Sequence, residues 1–377
     1  MAENKDKKVL NVPHLRFPEF TEEWERKRFK DVCNITTGNK NTQNKSDDGI
    51  YPFYVRSQIV ERINSWTFDG EAILTAGDGV GVGKVFHYST GKIGVHQRVY
   101  ILSDFKCDGK YLYSYFAGNF YNRVKRMSAK NSVDSVRMEM IADMPISLPS
   151  NEEQKKIGHL LALLDERIAT QNKIIEDLKK LKSAIIEMEY GNMAKNISHI
   201  GDFVEQTSKR NKDSAILNVL SVSNSQGFIQ QSEQFENRII ASDDTSNYKI
   251  VARNDFAFNP ARINVGSIAR LTTFERGIVS PMYICFRTKN NLFPEYLDYF
   301  FESKRFFAEI QKRLEGSVRQ CLSFEGLCNI PLCIPTVEVQ QQIGKRLSTL
   351  AKEIKLEIAF LELLQRQKRF LLHQMFI

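Results

Sequence analysis

The sequence has few of the features that mark membrane, disulfide-bonded or metal-binding proteins. It has no run of about eighteen apolar residues, and residues 1–8 are charged, so the pattern predicts neither a membrane helix nor a secretion signal. Its six cysteines form no C-x-x-C pair, and no H-x-x-x-H spacing stands near the last three. We therefore expect a cytoplasmic protein without a membrane contact, whose thiols neither pair nor hold a metal.

Motifs for catalysis are also scarce. The glycine-rich segment Gly77–Gly83 does not have the G-x-G-x-x-G spacing, and no Walker lysine pattern follows it. The segment Asn259–Arg262 lacks the second proline and the aromatic residue with which an amino-methyltransferase motif stacks on a flipped base. The six histidines stand in no triad or metal-ligand spacing. We predict no catalytic residue, and we expect both segments to be turns beside strands.

Basic residues are in modest excess. The net charge is +8 at pH 7, and 42% of the 377 residues are hydrophobic, which suits a soluble chain with two domain cores. An excess of this size permits nucleic-acid binding without proving it, and a merely soluble basic protein stays an open alternative on charge alone.

A repeat at a shift of 186 residues is the main feature of the sequence. Met144–Ile168 aligns without a gap on Ile330–Ile354. The first-segment residues that reappear unchanged are Pro145, Pro149, Glu152, Gln154, Ile157, Gly158, Leu161, Leu164 and Ile168. Composition does not explain so many matches at one spacing, so the chain is a duplicated unit.

Each repeat starts with prolines and continues as a helix with apolar residues at the coiled-coil period. The predicted seam of helix-pairing residues consists of Ile157, Leu161, Leu164, Ile168, Ile175, Leu178, Ile185, Ile343, Leu347, Leu350, Ile354, Leu361, Leu364 and Leu371. Gln171 and Glu357 share one layer of the seam, and Lys182 and Lys368 share another. Polar seam residues cost stability but set register, so we expect the helices to pair in one alignment.

These helices are long for helices that pack only on a domain. At 1.5 Å per residue, each spans roughly 55 Å. Packed antiparallel, they would form a rigid spacer with a globular domain at each end. The alternative is two amphipathic helices that pack separately on their own domains.

The stretch before each helix mixes strand and turn patterns. Glu71–Leu74 matches Asp255–Phe258, and Gly94–Tyr100 matches Gly277–Tyr283. Alternating apolar residues between Gly and Asn turns predict strands, and the aromatic-rich segments after them predict helices. Each half is therefore α+β or α/β, in a pseudo-two-fold repeat. The predicted boundaries are 1–150 for the first domain, 151–193 for the first helix, 194–335 for the second domain and 336–377 for the second helix.

Basic residues in the two domains cluster beside polar loops. Clustered cations next to Asn, Gln and Ser suit phosphate contacts combined with the reading of base edges. The candidate DNA-binding residues are Asn39, Lys40, Arg56, Ser57, Lys84, Arg98, Arg123, Lys125, Arg126, Lys130, Lys209, Arg210, Ser223, Asn224, Arg262, Lys312, Arg313 and Arg319. A solvated surface role stays open for each residue alone, and the hypothesis rests on the clusters as a set.

This order of domains and helices resembles the specificity subunit of type I restriction–modification systems. The resemblance covers essentially the whole chain. It is carried by Leu148–Gln154 (LPSNEEQ), Ile334–Gln340 (IPTVEVQ), Trp24-Glu25 and Phe370–Ile377. Val339 departs from the pattern, which has glutamate before this glutamine, and we expect no functional loss from it.

The resemblance implies a division of labour among subunits. Each target-recognition domain would read one half of an asymmetric, bipartite site on double-stranded DNA, and the paired helices would set the gap. Two adenine methyltransferase subunits would dock on the chain and two ATP-driven restriction subunits would join for cleavage. S-adenosylmethionine, ATP and magnesium would be bound by those partners, and this chain would bind no cofactor.

Two other interpretations remain open at this point. The chain could be an interaction scaffold with two binding domains on a coiled coil and no sequence-specific DNA binding. It could also be a stand-alone DNA-modifying enzyme, although it carries no cofactor or nuclease motif that we recognise.

Overall fold

The chain forms two compact units. The computed structural model describes residues 11–127, 135–191, 197–224, 226–231, 244–289, 291–316 and 320–377. Unit 1 consists of Met1–Asn172 together with Ala359–Ile377, and unit 2 is Lys173–Ile358. Each unit therefore contains the start of one long helix and the end of the other.

The described residues of unit 1 form ten strands, and three short to medium helices precede the first long helix. The strands are β1 (Glu25–Arg28), β2 (Asn34–Thr37), β3 (Tyr51–Tyr54), β4 (Glu61–Ile63), β5 (Phe68–Asp69), β6 (Ala72–Ala76), β7 (Phe86–Ser89), β8 (Lys92–Val95), β9 (Val99–Ser103) and β10 (Pro145–Leu148). The helices are α1 (Phe29–Val32), α2 (Gly109–Met127), α3 (Met138–Ala142) and α4 (Asn151–Gly191), with a 3-10 turn at Thr42–Asn44.

Unit 2 repeats this order of strands. Its strands are β11 (Ile197–His199), β12 (Val204–Thr207), β13 (Val219–Ser223), β14 (Gly227–Gln230), β15 (Lys249–Ala252), β16 (Phe256–Phe258), β17 (Ile268–Arg270), β18 (Arg276–Val279), β19 (Ile284–Thr288) and β20 (Pro331–Cys333). Its helices are α5 (Ile200–Phe203), α6 (Pro294–Phe300), α7 (Lys304–Gln311), α8 (Phe324–Cys328) and α9 (Val337–Met375), with a 3-10 turn at Ile263–Val265.

The two units share one strand topology. The sheets of unit 1 run β2-β9-β6-β7, β4-β3-β8-β5 and β1-β10, and those of unit 2 run β12-β19-β16-β17, β14-β13-β18-β15 and β11-β20. The β3–β8 and β13–β18 pairs are parallel, and the other ladders are antiparallel. Every strand of unit 1 thus has a counterpart ten strands later, which confirms the predicted mixed fold and internal repeat.

Aromatic side chains fill the space between sheet and helices in both units. Phe116 and Phe120 of α2 stack with ring centroids 4.5 Å apart, and Phe256 stacks on Phe286 at 5.1 Å. Rings of this size bury large apolar areas, which makes them the main contributors to core stability.

A buried glutamine locks the start of each long helix to its domain. Gln154 donates to the carbonyl of Pro149 at 2.8 Å and accepts from the Asp108 N–H at 3.0 Å. Gln340 likewise donates to the Pro335 carbonyl at 2.9 Å and accepts from the Phe293 N–H at 2.8 Å. The repeated Pro–Gln spacing therefore satisfies backbone groups at the start of the helix and in the loop that packs on it.

The predicted seam residues are all buried or half-buried. Ile157 and Leu161 belong to the core of unit 1 together with Met375, the last residue of α9, and Phe376, which follows it. Ile343 and Leu347 belong to the core of unit 2.

The end of α9 runs antiparallel to the start of α4 in unit 1. Lys368 forms an ion pair with Asp165, and the Arg167 guanidinium lies over the Phe360 ring at 5.4 Å. In unit 2, Arg346 of α9 pairs with Glu189 of α4. The alternative in which each helix packs only on its own domain is therefore wrong.

Candidate nucleic-acid interface

Three loops of unit 1 meet at one carboxylate. Arg56 follows β3, Asp78 follows β6, and Arg98 lies between β8 and β9. Arg56 Nη1 donates to Asp78 Oδ1 at 2.7 Å, and Arg98 Nε lies 3.6 Å from Asp78 Oδ2. The two arginine side chains stay 45% and 64% exposed, so two guanidinium groups with net positive charge face solvent around a shared anion.

Glycines let the Asp78 loop pass close to the Arg56 backbone. A Cβ on Gly81 would lie 2.4 Å from the Arg56 carbonyl oxygen, a distance that no side chain tolerates. Gly79 and Gly83 have φ of +79° and +64°, in the region that favours glycine. The glycine-rich segment is thus a tight turn between β6 and β7, as expected from its lack of a phosphate-binding glycine spacing.

His96 braces the third loop. Its Nδ1 accepts from the Arg98 backbone N–H at 3.0 Å, and the residue is buried. Burial, and then the nearby Arg56 guanidinium, lower the pKa of His96, while Asp78 opposes the shift. The imidazole is therefore held in the neutral form that accepts this hydrogen bond.

The other unit 1 candidates of these loops lie around this group. Lys40 is half-buried and forms a backbone bridge with His96. Lys84 is exposed, and its ammonium lies 5.6 Å from the centroid of the Tyr121 ring. Two polar candidates hold loops instead of standing free: Ser57 donates to the Ile59 carbonyl at 3.0 Å, and Asn39 accepts from the Thr67 hydroxyl at 3.1 Å.

The equivalent three loops of unit 2 line a polar cavity of about 600 Å³. Ser223 and Asn224 lie at the end of β13, Arg262 follows β16, and Ser280 and Met282 lie between β18 and β19. Among the described residues that line it, Arg262 carries the only formal charge. The same frame therefore presents different donors and acceptors in the two units.

A separate, basic surface of unit 2 lies after β12. Lys209 and Arg210 line a cavity of about 710 Å³ together with Lys212 and Arg276. Arg210 Nη1 donates to Asn247 Oδ1 at 2.8 Å, which orders one of these side chains. Asn39 and Lys40 occupy the corresponding position after β2 of unit 1.

The remaining candidates lie on or after helices. Arg123 donates to the Met140 carbonyl at 2.7 Å and so ties α2 to α3, whereas Lys125 and Arg126 are exposed at the end of α2. Lys312 and Arg313 both pair with Glu309, next to α7. Lys130 and Arg319 lie outside the described residues.

Sequence reasoning missed three polar residues of these loops. Asp78 and His96 were passed over because their role depends on loops that meet only in the fold. Asn259 is buried beside the unit 2 cavity and accepts from the Ala261 N–H at 3.1 Å. Its Asn-Pro sequence was recognised as a turn, which is the one signal that could have identified it.

The described part of the chain contains neither a metal-binding cluster nor a membrane-spanning helix. No group of three or more His, Cys, Asp or Glu side chains in the described ranges could hold a metal ion. No described helix is long and apolar enough to cross a membrane.

Comparisons with known proteins agree with this architecture. A family model described as the type I restriction modification DNA specificity domain matches residues 21–180 and again 196–366. The specificity subunit of the type I restriction enzyme EcoDI from Escherichia coli is 29% identical over 168 residues, which make up 44% of this chain and 37% of that protein. The match thus spans little more than a third of the EcoDI subunit.

Two further proteins match nearly the whole chain. The specificity subunit of the type I restriction enzyme MjaVIII from Methanocaldococcus jannaschii is 22% identical over 415 residues, covering 97% of this chain and 94% of that one. The crystal structure of the S subunit of a type I restriction–modification system from M. genitalium has a TM-score of 0.67 at 14% identity, covering 97% of this chain and 99% of that one. This last likeness is one of fold.

Proposed function

Since the chain belongs to the family of type I restriction modification DNA specificity domains, we propose that it is the subunit that reads the DNA sequence for a restriction–modification complex. Unit 1 and unit 2 each read one half of a bipartite, asymmetric site. One observation carries this proposal: equivalent loops on the same strand frame present arginines around Asp78 in unit 1 and a serine- and asparagine-lined cavity in unit 2. Two surfaces of different hydrogen-bonding chemistry select different bases.

The long helices set the distance between the half-sites in this proposal. Seam residues pack in both units, and ion pairs join α4 to α9 at Asp165–Lys368 in unit 1 and at Glu189–Arg346 in unit 2. Pairs of this kind form in only one alignment of the helices and so support a single register. The expected shared layer of Lys182 and Lys368 is wrong, because Lys182 lies in unit 2 and pairs with Glu302 after α6, whereas Lys368 lies in unit 1.

Catalysis belongs to partner subunits in the proposed complex. Two adenine methyltransferase subunits would supply S-adenosylmethionine chemistry, and two ATP- and magnesium-dependent subunits would cleave. The names of the matched relatives, specificity subunits of type I restriction enzymes, support this assignment. The chain itself would supply specificity and bind none of these cofactors.

Methylome sequencing tests the proposal directly. Cells that express this chain with its methyltransferase partner should carry methyl groups at one split sequence. Replacing residues 1–150 with those of another family member should change one half of that sequence and leave the other half unaltered. A contiguous target, or methylation without sequence preference, would contradict the proposed function.

A further inference from the structure

We propose that Arg56 and Arg98 read guanine in the major groove, and that Asp78 is the positioning residue that orients them. The proposal deepens the proposed function and rests on it. Guanine is the expected base because its major-groove edge offers two acceptors, O6 and N7, to which one guanidinium binds in a bidentate manner.

The contact with Asp78 prepares the arginines for this task. The nearest contacts to Asp78 engage Nη1 of Arg56 and Nε of Arg98, and among the described residues the guanidinium groups make no other side-chain hydrogen bond than that of Arg56 Nη1. Long exposed side chains lose rotational freedom when they bind, and an ion pair that already restricts them reduces that loss. Planar guanidinium groups held in this way are suited to base edges, whereas a phosphate needs only a nearby positive charge.

The loops themselves are braced from behind. His96 holds the Arg98 backbone, as described above. Behind Asp78, the Val136 N–H donates to the Gly77 carbonyl at 2.7 Å, and Tyr100 donates its hydroxyl proton to the Val136 carbonyl at 3.0 Å. Base reading demands side chains placed on a rigid support, which these hydrogen bonds provide.

Unit 2 does not repeat this constellation. Arg262 is the only charged residue among the described residues lining its cavity, and it is surrounded by serine, asparagine and tyrosine side chains. The recognised guanine is therefore assigned to the half-site of unit 1, and no guanine is assigned to that of unit 2.

The test uses the full chain in complex with its methyltransferase partner and an oligonucleotide that carries the methylated sequence. Each guanine of the unit 1 half-site, identified by the domain replacement, is exchanged for 7-deazaguanine, which lacks the N7 acceptor. Fluorescence anisotropy should show Kd weakened about 5- to 150-fold at one or two positions. This loss should vanish in the Arg56→Ala or Arg98→Ala variant, which no longer uses N7. Arg56→Lys should restore only part of the sensitivity, because a lysine ammonium can donate to O6 and N7 but lacks the planar, pre-organised pair of donors.

Asp78→Asn tests whether the Asp78 carboxylate orients the two arginine side chains. This variant keeps a side chain of similar size but removes the anion, so we expect a smaller 7-deazaguanine effect at unchanged or tighter binding to unrelated DNA. Arg26→Ala, at an exposed position of β1, is the matched control and should leave the effect as in the parent chain.

Failure of the guanine assignment and failure of the proposed function give different results. If Arg56→Ala and Arg98→Ala weaken every sequence equally and lower the salt dependence by about one counterion, they bind phosphate, and the inference is overturned. It is overturned too if the unit 1 half-site contains no guanine on either strand. Absence of any split-site preference would instead remove the proposed function itself.

Discussion

At the residue scale, one buried ion pair ties the segment before β1 to the start of α4. Arg16 donates from Nε and Nη2 to the two carboxylate oxygens of Glu153, both at 2.7 Å, and Glu153 is fully buried. In the second repeat Val339 takes this place and is 40% exposed. The one departure from the family pattern therefore lies at a surface position and leaves no buried charge without a partner.

Removing the arginine alone should be costly. Arg16→Met leaves the Glu153 carboxylate buried without its partner, so we expect the free energy of unfolding of unit 1 to fall by about 3–5 kcal/mol. Both tryptophans, Trp24 and Trp66, belong to unit 1, and a Trp66→Phe background makes the fluorescence of buried Trp24 the reporter in a urea titration. The double variant Arg16→Met with Glu153→Leu should recover most of the loss. A single variant as stable as the parent chain would rule out a stabilising role for the pair.

The free energy of unfolding of unit 1 should depend on pH through the titration of His96. Its pKa lies below the ordinary value of 6.5 because of burial and the Arg56 guanidinium, so the unfolded state binds the proton more readily. The stabilising contribution is then complete above about pH 6.5 and is lost as the pH falls through the lowered folded-state pKa.

Urea titrations of Trp24 fluorescence at a series of pH values test this directly. His96→Gln should flatten the loss of stability below pH 6.5. A slope unchanged by the substitution would show that other groups are responsible.

The candidate arginines were within reach of sequence reasoning, but their arrangement was not. Arg56 and Arg98 could be selected as exposed cations beside polar residues. Asp78 reads as an ordinary loop acid in the sequence, because its pairing depends on three loops brought together by backbone hydrogen bonds between strands. Arg123 was selected as a DNA-binding candidate because of its basic neighbours, but its Nε donates to the Met140 backbone carbonyl.

At the scale of elements, a glycine sets how closely α2 approaches α4. A Cβ on Gly158 would lie 2.6 Å from Asp108 Oδ1 and 2.7 Å from the Tyr111 nitrogen. Gly344 is its repeat counterpart in α9, where a Cβ would meet the Glu295 Cβ at 3.1 Å. The matched glycine of the two repeats is thus a requirement of helix contact, tighter in unit 1 than in unit 2.

Gly158→Ala should therefore destabilise unit 1. The methyl group forces the two helices apart, and we expect a loss of about 1–3 kcal/mol in the Trp24 titration. Gly118→Ala in α2 is the control within the same unit, because the nearest atoms to a Cβ there are the Leu372 methyl carbons at 3.6 Å, an ordinary contact distance. Helix propensity there should leave stability unchanged or raised by up to ~1 kcal/mol. Equal effects of the two substitutions would contradict the close-approach argument.

The long helices were predictable and the strand order was not. Heptad spacing and the proline before each helix are local signals, and α4 and α9 follow them over nearly their whole length. The parallel β3–β8 pair joins Tyr54 to Val95 across many intervening residues, and backbone hydrogen bonds at that separation leave no trace in side-chain periodicity. Even between the repeats, the single helix α2 corresponds to two shorter helices, α6 and α7, the second of which begins at a Ser303 cap.

At the scale of the whole molecule, the length of the two helices should set the spacing of the half-sites. Deleting Ile168–Ile174 from α4 and Ile354–Phe360 from α9 removes one heptad from each and preserves the seam. Seven residues correspond to roughly 10 Å of helix, or about three base pairs. We expect the preferred gap, measured by selection from a library with variable spacers, to shorten by about that amount while both half-sequences stay the same.

Deleting the heptad from α4 alone is the control for this experiment. It puts the seam residues of the two helices out of step, so we expect binding to split sites of any spacing to be lost. Should the paired deletion retain the original gap, the helices would not be the element that measures it.

The C-terminal end of α9 has a consequence for the order in which the molecule is made. Met375 and Phe376 belong to the core of unit 1, where the Phe376 ring lies 5.2 Å from that of Tyr111. A ribosome translates all of unit 2 before it supplies these residues. Unit 1 therefore lacks part of its core until Met375 and Phe376 have been translated, whereas all residues of unit 2 are present once residue 358 has emerged. A nonsense mutation at the codon of Met375 therefore removes core residues from unit 1, the half of the protein that was synthesised earlier.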